Sequence, residues 1–89
     1  MCTYLTEKVP VTGSAKSGGE WLGVTEAAVY FDHPVHTLAT HTLNIDLRRP
    51  TAGPSARVGI ELTAEAARAL AESILSVLDA VPPAVLADR

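Results

Sequence analysis

Strict alternation of apolar and polar residues is the clearest pattern in the middle of the chain. Over residues 41–48, His41, Leu43, Ile45 and Leu47 fall on one side and Thr42, Asn44, Asp46 and Arg48 on the other, the period of two that makes a strand. Residues 57–62 repeat it, with Val58, Ile60 and Leu62 facing one way. Residues 21–32 read as a longer strand with a bulge expected around Gly23 to Glu26. Residues 2–11 alternate more loosely but are rich in Thr, Val and Tyr, which suit a strand. Pro10 marks that segment as an edge strand or as a strand terminus.

The period then changes. Ala67, Leu70, Ala71, Ile74, Leu78 and Val81 recur at helical spacing, with Arg68, Glu72, Ser76 and Asp79 opposite. Thr63 is a good N-cap, and Glu65 places negative charge in the first turn, where the helix dipole favours it. Pro82-Pro83 ends the helix. Composition makes 13–20 a flexible loop, 50–55 a turn and 84–89 a loose tail. Short links between successive strands favour an antiparallel meander.

The expected fold class is therefore α+β, a single domain over residues 1–89. A four-stranded antiparallel meander sheet carries one C-terminal amphipathic helix packed on one face. That helix should cover Leu5, Val9, Val11, Val29, Phe31, Leu43, Ile45, Leu47, Val58 and Ile60, with Trp21 closing one end of the core. The other face is mixed and includes Tyr4, Tyr30, Asp32, Asn44, Asp46, Arg48, Arg57 and Glu61. One helix cannot cover both faces, so the mixed face is either solvated or paired with another subunit, and a homodimer is the economical way to bury it.

Composition narrows the function classes. With 47% hydrophobic residues but only 4% aromatic, the core must be aliphatic. A net charge of −3 and a pI near 5.4 argue against a nucleic-acid partner and a basic membrane-surface helix. No apolar stretch is long enough for a membrane span, and the start shows no basic-then-apolar leader. One cysteine cannot form an internal disulfide, and the reading is cytoplasmic.

Unusual chemistry gathers in one place. All three histidines lie within nine residues as His33-x2-His36-x4-His41, with Asp32 adjacent. In a meander, Cys2 and the helix N-terminus after Thr63 share that end of the sheet. Imidazole, thiolate and carboxylate are ligands that zinc and other late transition metals prefer, so His33, His36, His41 and Cys2 are candidate metal ligands. Tyr4, Tyr30, Asp32, Asn44 and Thr63 are candidates for a polar ligand or an anion.

Each has a plainer alternative. The histidines read also as surface residues of a polar loop with His41 hydrogen-bonded at the strand start, Cys2 as an inert apolar residue, and the tyrosines with an Asp46–Arg48 or Asp46–Arg57 pair as ordinary sheet packing. No phosphate-binding glycine motif and no nucleophile elbow is present. An enzyme built on these residues would use metal-assisted or histidine-based chemistry on a small molecule. The alternative is a homodimeric interaction module with incidental histidines.

The segments Met1-Cys2-Thr3-Tyr4, Val29-Tyr30-Phe31-Asp32-His33-Pro34-Val35-His36, His41-Thr42-Leu43-Asn44-Ile45-Asp46 and Gly53-Pro54-Ser55-Ala56-Arg57-Val58 resemble a family of short actinobacterial proteins of unknown function. The resemblance spans nearly the whole chain. It implies a bacterial source and a complete protein, and it supplies no activity, cofactor or catalytic residue.

Overall fold

Four strands pair antiparallel in the order β1-β2-β3-β4, in a computed structural model that describes residues 5–87. They are β1 (Leu5–Ser17), β2 (Glu20–Asp32), β3 (Thr42–Arg48) and β4 (Arg57–Leu62); helix α1 (Ala64–Ala80) follows, then a short α2 (Pro83–Leu86). The meander and its C-terminal helix are as the alternation and the helical spacing require. Cys2 and Tyr4 lie outside the described residues.

Two boundaries differ from the sequence reading. Residues 13–17 continue β1 instead of forming a loop, with Ala15 opposite Leu22 and Lys16 opposite Trp21. Only Gly18 and Gly19 make the turn, at φ +59° and +84°. Two consecutive positive φ angles are what a tight two-residue hairpin needs, and glycine adopts them without steric cost. The irregularity falls between Pro10 and Gly13, so the extra residue belongs to β1 and not to the Gly23–Glu26 stretch. Residues 83–86, at the edge of the expected tail, are helical.

The helix forms for the reasons its sequence gives. The Thr63 side chain accepts a hydrogen bond from the Ala66 N–H at 3.1 Å, and Glu65 sits in the first turn. The helix lies over the apolar sheet face, where Ala67, Leu70, Ala71 and Ile74 stand across from Val29, Phe31, Leu43 and Ile45. It does not close on that face. No residue of α1 is buried, and an open apolar groove of about 630 Å³ separates helix from sheet.

Burial is therefore inverted relative to expectation. On β3 the polar residues are the covered ones: Thr42 is 0% exposed, Asn44 5% and Asp46 8%. Leu43, Ile45 and Leu47 are only half-buried. Among the described residues the buried apolar core is small, made by Ala15, Val24, Ala27 and Ala28. Two features cover the polar face. The sheet curls enough to bring parts of its outer strands β1 and β4 near each other, and residues 33–41 fold back to reach Glu61 on β4. Trp21 caps no core; it is 69% exposed, with the Lys16 ammonium 5.9 Å from its ring centroid. No helix among the described residues is long and apolar enough to cross a membrane.

Candidate functional site

Register decides which side chains meet on the polar face. Tyr30 lies opposite Asn44 and Asn44 opposite Glu61; one level along, Ala28, Asp46 and Gly59 are aligned. These residues line a hollow of about 560 Å³, together with Asp32, Arg57 and the loop residues His33, Val35, His36 and Thr37. Gly59 makes room for it: a Cβ there would stand 3.2 Å from Asp46 Oδ1. A glycine inside a strand costs backbone entropy, and here it frees space for the Asp46 carboxylate.

Buried polar groups are tolerated only when paired, and these are. The Thr42 hydroxyl donates to Asn44 Oδ1 at 2.7 Å. The Tyr30 hydroxyl donates to Asp46 Oδ2 at 3.1 Å, while Arg57 Nη1 stands 3.6 Å from the same oxygen. Of the two ion pairs open to Asp46, the structure thus forms the one with Arg57; Arg48 pairs instead with Glu26, its cross-strand neighbour. The Tyr30 phenol is pushed up from its ordinary value, first by burial and then by its hydrogen bond to the Asp46 carboxylate.

Glu61 is the group that sequence reasoning missed. Its carboxylate accepts three consecutive backbone N–H groups, from Val35 at 2.5 Å, His36 at 3.0 Å and Thr37 at 2.9 Å. These bonds, that from Thr37 foremost, lower its carboxyl from 4.5 to about 2. The signal in the sequence was only a carboxylate on the mixed face. Its partners lie 24 to 26 residues away, beyond any local pattern.

The predicted ligand residues separate into groups. Tyr30, Asp32 and Asn44 share the hollow, with His33 and His36 beside them. The Asp32 carboxylate accepts the His33 backbone N–H at 2.7 Å, fixing the start of the loop. His33 Nδ1 lies 3.0 Å from the Thr40 carbonyl; a carbonyl can only accept, so that nitrogen carries the proton. The His33 and His41 rings stand 4.6 Å apart, and His41 stacks on Phe31 with centroids 5.9 Å apart.

His36 lines the hollow too, and its backbone N–H donates to Glu61. Among the described residues no group of three or more His, Cys, Asp or Glu side chains is placed to hold a metal ion. Thr63 is at the expected end of the sheet, but its hydroxyl caps its own helix, which runs over the opposite face.

No curated protein and no solved structure matches the chain. A protein family of unknown function does match, over residues 1–87, and by that match the chain belongs to the family DUF6295.

Proposed function

We propose that this protein binds a small polar molecule in the hollow beneath residues 33–41, with the loop acting as a cover that Glu61 holds in place. The observation that carries this reading is the buried polar row of β3. Thr42, Asn44 and Asp46 are covered more fully than Leu43, Ile45 and Leu47 beside them. A sheet that needed only stability would bury its aliphatic face first. The hollow offers carboxylates at Asp32 and Asp46, a guanidinium at Arg57, a phenol at Tyr30 and an amide at Asn44. Such mixed donors and acceptors orient a compact polar ligand.

A metal bound through the histidines has less support, because among the described residues no three His, Cys, Asp or Glu side chains are grouped to hold one. The single cysteine and the motif resemblance support a cytoplasmic bacterial protein.

Amide-resolved NMR titration of the full chain with amino acids, nucleosides and sugar phosphates tests the binding reading. Saturable shifts confined to Tyr30, Asp32, Asn44, Asp46, Gly59 and residues 33–37, lost in Asp46→Asn, are expected. Shifts that map to the helix side, or none with any class, would defeat it. Elemental analysis of untagged protein should find no stoichiometric zinc, iron, copper or nickel.

A further inference from the structure

On the opposite side of the sheet, and independently of the hollow, we propose a homodimer interface: the apolar sheet face together with α1, covered by the same face of a second copy of this chain. Surface area is the first argument. A folded monomer of this mass exposes about 5,000 Å², whereas this chain exposes 6777 Å². The excess, roughly 1,800 Å² by comparison with that scaling, lies within the about 1,000–2,500 Å² that each partner contributes to an obligate dimer. The radius of gyration agrees, at 14.6 Å against about 12 Å for a compact chain of this length.

Location is the second argument. The helix leaves Ile74 52%, Leu78 46% and Val77 64% exposed, next to the open groove. Val35 and Leu38 are also exposed, but they stand apart on the loop, and scattered apolar residues are ordinary. A small ligand could fill the groove, yet Val77 and Leu78 lie outside its lining and would stay wet. A second chain covers both. Among the described residues, the charged ones lining the groove are Arg68 and Glu72, one of each sign. In a two-fold contact, where each patch meets its own copy, opposite charges can face one another across the axis. On the mixed face, where the sequence reading put the dimer, residues 35–37 of the loop already lie against β4 through Glu61.

Sedimentation equilibrium of the full-length wild-type chain should give twice the monomer mass, and the melting temperature should rise with protein concentration. Ile74→Glu and Leu78→Glu should each weaken association by roughly a hundredfold or more, because each buries an unpaired carboxylate. Leu38→Asp should leave it unchanged. Because the helix variants can also damage folding, a mixed sample of isotope-labelled and unlabelled wild type provides a second reading. Intermolecular NOEs from the Ile74 and Leu78 methyls are expected. A wild type that stays monomeric at NMR concentrations overturns the proposal. So does a dimer that shows no such NOEs or that Leu38→Asp disrupts as strongly.

Discussion

Glu61 holds three backbone N–H groups with one carboxylate, and that makes residues 35–37 of the loop answerable to a single side chain. Glu61→Gln should speed amide exchange at Val35, His36 and Thr37 on the order of tenfold, as lost charged hydrogen bonds do, while the exchange of β2 and β3 stays as it was. The acid dependence has a definite sign. A carboxyl lowered from 4.5 to about 2 stabilises the fold above pH 4.5, and this contribution is lost as pH falls through about 2. The amide resonances of residues 35–37 should therefore hold steady through mild acid and move only near the lower value. Tyr30 runs the other way: its raised phenol favours the fold below pH 10.0, a contribution that disappears as pH climbs through its higher folded value. Gly59→Ala, by crowding Asp46 Oδ1, should bring the Tyr30 titration back toward normal, measured by tyrosinate absorbance in a Tyr4→Phe background. The histidine cluster was legible as proximity along the chain, and His33 and His41 do meet because they bracket one loop. That Glu61 takes the backbone N–H groups of residues 35–37 was not legible, since a contact across some two dozen residues leaves no local trace.

Among the elements, β3, β4 and α1 could be read from period alone, because alternation and helical spacing follow directly from backbone geometry. Thr63→Ala removes the hydroxyl that accepts the Ala66 N–H, and it should cost about 1 kcal/mol in a chemical denaturation curve. The hairpin tip was misjudged for an identifiable reason. Ser, Gly and Lys between residues 13 and 19 look like a linker, yet cross-strand pairing carries β1 through to Ser17. Gly19→Ala puts a side chain at a φ of +84° and should destabilise the hairpin by about 1–2 kcal/mol, seen as a lower midpoint of unfolding. Which face would be buried was the larger misreading. The apolar stripe of α1 and the apolar face of the sheet match in pattern, but pattern does not set how closely a helix settles. The covering loop comes from long-range hydrogen bonds.

For the whole molecule, the curled sheet leaves one side for a polar guest and the other for a like partner, so the two proposed interactions need not compete. The bulge in β1 then bears on what kind of assembly is open to this chain. A bare strand margin is a template on which further copies can add without limit. Here Pro10 supplies no N–H, the bulge from Pro10 to Gly13 breaks the ladder just beyond it, and Lys8 adds a charge nearby. The far margin, β4, is six residues long and bends toward β1. Copies are thus steered away from stacking strand to strand, and association is left to faces that saturate once each has found its match. The same apolar surface that would make a flat, open-edged sheet precipitate can stay exposed during synthesis, because the route to fibrous growth is obstructed at the backbone.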